Sequence, residues 1–194
     1  SEFELINWIR RPPARAKGDQ QSEDIANVYH GAGGAARCLQ LRGEYMYGAE
    51  GKGGFRVYDV ASIGNKDVSQ RIITSPVSPL GQNLHVASAN ATCMALPTNQ
   101  SIAPGRNTEA MRKANQEQAF HPIYHYAFIT DAVEGLIAVD VDALTDGDPS
   151  NNFLKRAMTW NAGGVLNGAR HITLGGHYAY IAANAGLVVV DLDD

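Results

Sequence analysis

Apolar and polar positions alternate with a period of two along much of this chain. The pattern is clearest in Tyr178–Leu192, YAYIAANAGLVVVDL. Tyr178 and Tyr180 stand two residues apart and so share one face of an extended strand. Gly186 supplies a tight turn with positive φ, and the apolar run that follows returns as a second strand ending at Asp191. The same phrase occurs twice more, as YMYGAEGKGGFRVYDV over Tyr45–Val60 and YAFITDAVEGLIAVDV over Tyr126–Val141. Each copy therefore predicts a β-hairpin.

Shorter repeats flank the hairpins. AARCLQL (Ala35–Leu41), NATCMAL (Asn90–Leu96) and GARHITL (Gly168–Leu174) align as a strand preceding each hairpin. QRIIT (Gln70–Thr74) and LKRAMTW (Leu154–Trp160) read as a fourth strand after the first two. Asn27–Arg37 resembles Met158–Arg170, which makes Ile25–His30 the fourth strand of an earlier unit. Four antiparallel strands repeated in series are the blades of a β-propeller. A β-sandwich of seven or eight short strands is the rival, but it gives no reason for one phrase to recur. The expected fold is thus all-β: a partial β-propeller of about three four-stranded blade equivalents. The blades fall at 35–74, 90–160 and 168–194, within an incomplete propeller over 25–194 that follows an N-terminal extension over 1–24. The opening string SEFEL is one that vector cloning sites encode, and equally one that a native chain can carry. Pro97–Pro122 is a long insertion in the middle unit, and Thr108–Gln118 within it predicts a short helix with Thr108 as N-cap.

LVVVD at Leu187–Asp191, with the looser LIAVD and FRVYD, resembles the repeat of the LVIVD family of bacterial β-propeller proteins. The resemblance covers most of Ala35–Asp194 outside the insertion. It implies an exported or cell-surface protein, periplasmic or external, often part of a larger multidomain chain. It is far more specific for fold than for activity.

Composition narrows the function without naming it. The chain has 194 residues, 44% of them hydrophobic, enough for a globular core. A net charge of −4 argues against non-specific nucleic-acid binding. No apolar run reaches the roughly 18 residues of a membrane-spanning helix. Two cysteines cannot make a four-cysteine zinc site, and no haem-attachment motif is present.

Candidate chemistry sits at a few positions. Cys38, Cys93 and His171 share one register at the start of the first strand, which lines the channel of a propeller. Cysteine and histidine suit borderline metals. However, inner strands of different blades diverge, which argues against both a shared ion and a Cys38–Cys93 disulfide, whose Cα atoms must come within about 7 Å. Arg37 and Arg170, one residue earlier, suit an anion or a partner's carboxylate, or an ion pair with Asp59 or Asp191. His121 and His125 lie four apart beside Pro122, on extended chain that would separate them by about 13 Å. They are candidates for contact with a partner. Asp140, Asp142, Asp146 and Asp148 form a carboxylate-rich stretch that suggests calcium, but the EF-hand order is not met and turns need the same residues. The glycine runs at Gly31–Ala36 and Gly51–Gly54 lack the strand–helix setting of a nucleotide loop. No nucleophile elbow or assignable acid–base pair is found. No cofactor is expected in this chain, calcium apart.

These readings favour a non-catalytic scaffold or protein-binding segment of a larger exported protein. The alternative is part of a propeller enzyme, a hydrolase or oxidoreductase, with a central-channel site completed by other blades. The expected partners are a protein, the remaining blades of the same protein, or a second copy meeting exposed strand edges.

Overall fold

A computed structural model describes residues 34–60, 84–100, 102–148 and 151–193. The expected strands at Ile25–His30 and Gln70–Thr74 lie outside these residues. The described chain forms three antiparallel sheets. The first contains β1 (Cys38–Arg42), β2 (Tyr45–Ala49), β3 (Phe55–Asp59) and β4 (His85–Val86), in that order. The second contains β5 (Ala91–Ala95), β6 (Tyr126–Asp131), β7 (Gly135–Asp140) and β8 (Lys155–Trp160). The third contains β9 (His171–Gly175), β10 (Tyr178–Ala183) and β11 (Gly186–Asp191). Among the described residues, the strand in the fourth position of the first sheet is His85–Val86, where Gln70–Thr74 was expected; Val86 pairs with Phe55 and His85 with Arg56.

The hairpins are equivalent residue by residue. In each, the first aromatic lies opposite the closing aspartate: Tyr45 opposite Asp59, Tyr126 opposite Asp140, Tyr178 opposite Asp191. The glycine that opens the third strand has positive φ in all three, +75° at Gly54, +87° at Gly135 and +109° at Gly186. Two of them also sit under the fourth strand. A Cβ on Gly54 would lie 2.3 Å from Val86 O, and one on Gly135 would lie 2.6 Å from Trp160 O. At Gly186 nothing is within 4 Å.

Period two gives each sheet two apolar faces, and the sheets stack forward face to back face. Tyr47, Phe55 and Val57 on the forward face of the first sheet pack with Met94, Leu96, Ile129, Ile137 and Val139 on the back of the second. Phe128, Leu136 and Ala138 on the forward face of the second pack with Ile172, Ala179, Ile181 and Val190 on the back of the third. The joints between sheets repeat as well. Gly51 and Ala91 exchange backbone hydrogen bonds of 2.9 Å, and Gly168 N–H donates to Ala132 O at 2.8 Å. Thr92 Oγ1 spans the second joint, donating to Ala169 O at 2.8 Å.

The insertion holds α1 (Glu109–Asn115), which starts as expected: Thr108 Oγ1 accepts from Met111 N–H at 3.4 Å. α1 buries none of its residues. Pro122–His125 is a 3-10 turn entering β6, with Pro122 tolerated at its start. None of the described helices is long and apolar enough to cross a membrane.

Candidate functional site

The inner strands β1, β5 and β9 approach one another more closely than expected. Cys38 and Cys93 are joined in a disulfide with Cα atoms 4.8 Å apart. This corrects the expectation that diverging inner strands keep them separate. Next to the joints made by Gly51, Ala91 and Thr92 the strands have not yet fanned out, so equivalent side chains touch across blades. His171 continues the row, with Nδ1 3.6 Å from Cys93 Sγ. Met94 N–H points at Cys38 Sγ from 3.4 Å. Cys93 is buried and His171 exposed. The three positions thus form one contiguous sulfur–sulfur–imidazole row on the inner strands, with both sulfurs committed to the bond.

The flanking arginines face the chain itself. Arg170 Nη1 donates to Ala183 O at 3.1 Å and makes no ion pair with Asp191. Arg37 lies along Gly51, where a Cβ would be 3.1 Å from Arg37 Nε. Glu50 and Arg56 form a buried ion pair at 3.2 Å that Tyr58 joins by donating its hydroxyl to Glu50. Burial, reinforced by Glu50, pushes the Tyr58 phenol far up. Arg42 is buried between the first two sheets, with Nη1 donating to Tyr124 O at 3.4 Å. Burial also pushes Tyr47 up to about 12, against the pull of Arg42.

The acidic stretch divides into local turns. Asp140 accepts from Asp142 N–H at 3.0 Å, and Asp146 accepts from Asp148 N–H at 2.8 Å. Asp142 Oδ2 lies 2.6 Å from His125 Nδ1. Burial holds the Asp142 carboxyl above the ordinary range in spite of His125.

Sequence reasoning did not single out the cluster that gathers beside the third hairpin. His177, Asp191 and Asp193 place one ligand atom each within 4.8 Å of one another. His121, at the start of the 3-10 turn of the second blade, reaches across with Nε2 2.7 Å from Asp193 Oδ1. Its ring stacks on that of His177 with centroids 6.3 Å apart. The signal was a longer repeat: His-Tyr before the second strand and Asp-x-Asp after the third, at His125–Asp142 and again at His177–Asp193. His121 and His125, paired in the sequence, are thus used separately.

A groove of about 590 Å³ opens between β8 and the edge of β11 that is unpaired among the described residues. Phe128, Ala138, Met158 and Trp160 form its apolar floor, and Val189 to Leu192 form one wall.

Two four-stranded sheets and a three-stranded one that repeats their first three strands, stacked forward face to back with inner strands side by side, are consecutive blades of a β-propeller. Residues 33–66, 125–159 and 168–194 each match the model of the LVIVD repeat. The chain is an LVIVD-repeat protein, and the three matches coincide with the three hairpins. No curated protein matches the sequence.

Proposed function

We propose that this chain is a non-catalytic propeller segment of an exported protein that works as a scaffold by taking further blades onto its open faces. One observation carries the reading. A single repeat position is 1% exposed in the first sheet (Phe55), 0% in the second (Leu136) and 72% in the third (Leu187). Tyr178, Tyr180 and Val189 are exposed beside Leu187. The back of the first sheet is its complement: Leu39 and Leu41 are 55% and 56% exposed, whereas their counterparts Met94 and Leu96 are buried. The forward face of the third sheet has the chemistry that receives a back face, and the first sheet offers one. In a solution of this chain alone the occupant is the first sheet of a second copy. Two copies would contribute six sheets, within the four to eight of closed propellers. The Cys38–Cys93 disulfide supports an oxidising, extracytoplasmic setting.

Size-exclusion chromatography with light scattering tests this. Wild type is expected to self-associate with rising concentration, and Leu187→Asp, which puts a charge into the proposed interface, to remain monomeric. A wild type as monomeric as the variant at all concentrations would overturn the reading.

A further inference from the structure

The same three repeat positions behave differently in the second and third blades. In the second, His125 and Asp142 touch directly, with Nδ1 and Oδ2 2.6 Å apart. In the third, the equivalent imidazole stands off from both carboxylates. His177 Nδ1 is 3.8 Å from Asp193 Oδ2, and His177 Nε2 is 4.0 Å from Asp191 Oδ1. A direct hydrogen bond is shorter than this. The two contacts use different ring nitrogens, only one of which can face a given ion. With one ligand atom taken from each of His177, Asp191 and Asp193, the three atoms lie within 4.8 Å of one another, and small side-chain rotations bring them to about 2.0–2.2 Å from one ion.

Asp193 Oδ1 is drawn to Nε2 of His121, a residue of the neighbouring blade, at 2.7 Å. His121 Nδ1 accepts from Ile123 N–H at 3.3 Å, which leaves the ring proton on Nε2 to be donated to Asp193. His121 therefore orients the carboxylate and leaves Oδ2 for another partner, as histidines and carboxylates do around metal ligands. Asp191 is fixed too, because its Oδ1 accepts from Asp193 N–H at 3.1 Å. Backbone pairing holds the corner: Leu192 N–H donates to His177 O at 2.9 Å.

We propose that His177, Asp191 and Asp193 bind one divalent borderline cation of the zinc class, with His121 as a positioning residue. One imidazole and two carboxylates match the nitrogen–oxygen preference of such ions, and the two negative charges balance the ion's. The ligands are half-exposed, which leaves a coordination position open to water or to an incoming donor. The site lies beside the groove that ends at Asp191 and Leu192. The ion would tie the end of the third hairpin to the insertion of the second blade through Asp193 and His121.

The test is isothermal titration of the tag-free, disulfide-intact chain with zinc chloride, and separately with cobalt chloride to read the ligand field. One ion per chain is expected. His177→Ala and Asp191→Asn should each weaken binding at least tenfold, and His121→Gln by roughly 10- to 100-fold without abolishing it. His125→Ala, at the equivalent position of the second blade, should leave affinity unchanged. Circular dichroism of each variant confirms that the sheets are intact, and Asp191→Asn keeps the test open if His177→Ala is unstable. Absence of saturable binding, or binding indifferent to both His177→Ala and Asp191→Asn, would overturn the site.

Discussion

Leu136 and Leu187 are the same residue at the same repeat position, and blade stacking requires truncation to affect them very differently. Leu136 is fully buried between the second and third sheets, among Phe128, Leu166, Ile172 and Ile181. Leu136→Ala removes buried methyl groups and leaves a cavity that rigid sheets on both sides cannot collapse, a cost of about 2–5 kcal/mol. For a chain of this size that lowers Tm by roughly 4–20 °C. Leu187 keeps most of its surface in solvent, so Leu187→Ala should change the stability of the monomer by no more than about 0.5 kcal/mol. Urea unfolding followed by far-ultraviolet circular dichroism, at protein concentrations low enough to keep the chain monomeric, reads both. A monomer in which Leu187→Ala costs as much as Leu136→Ala, or in which Leu136→Ala costs under about 1 kcal/mol, would refute the assignment of forward and back faces. At high concentration the Leu187 variant should lose stability relative to wild type, because there the second copy covers that face.

Further expectations can be checked with the same unfolding assay. The Cys38–Cys93 bond spans 55 residues and ties the first two blades at their inner strands, so Cys93→Ser should cost about 2–4 kcal/mol, as should reduction of the wild type. Asp131 is buried in the β6–β7 turn and accepts from the backbone N–H groups of Asn90, Val133 and Glu134; Asp131→Ala strands these donors and should cost at least about 1–3 kcal/mol. Burial pushes the Asp131 carboxyl up, but those N–H groups outweigh it and hold it below the ordinary value. Its stabilisation is therefore complete above the unfolded value of about 3.9 and is lost as pH falls through the lower folded value. Urea midpoints measured between about pH 5 and pH 2 should fall more steeply for wild type than for Asp131→Asn. Thr92→Val removes the hydroxyl that bridges Thr130 and Ala169 across the second joint, and should cost about 1 kcal/mol or more.

What the sequence disclosed, and what it withheld, follows from the range of each interaction. Strands were legible because period-two patterning and hairpin glycines are local, and the three-fold repeat of Tyr45, Tyr126 and Tyr178 fixed their equivalence. Thr108 announced the short helix Glu109–Asn115 by cap chemistry alone. The pairing of His85–Val86 with the first hairpin was not legible because that strand is only two residues long and carries no periodicity. The disulfide was missed for a different reason. General propeller geometry speaks of strands that diverge, whereas the Gly51–Ala91 joint holds β1 and β5 together at the level of Cys38 and Cys93. The His177–Asp191–Asp193 cluster was written in the repeat, but its link to His121 crosses between blades, and no sequence spacing reveals that.

Amide hydrogen exchange along β11, followed as a function of protein concentration, shows whether the third blade is open and whether a second copy covers it. β11 has one paired edge, against β10, and one edge free among the described residues, under an uncovered apolar face. In dilute protein the outward-pointing amides of Gly186–Asp191 should exchange much faster than those of β6, which is paired on both sides. As concentration rises and a second copy covers the third blade, they should slow, and they should not slow in Leu187→Asp. Amides in Leu187–Asp191 as uniformly slow as those of Ala127–Thr130 in the dilute monomer would contradict an open third blade awaiting its neighbour.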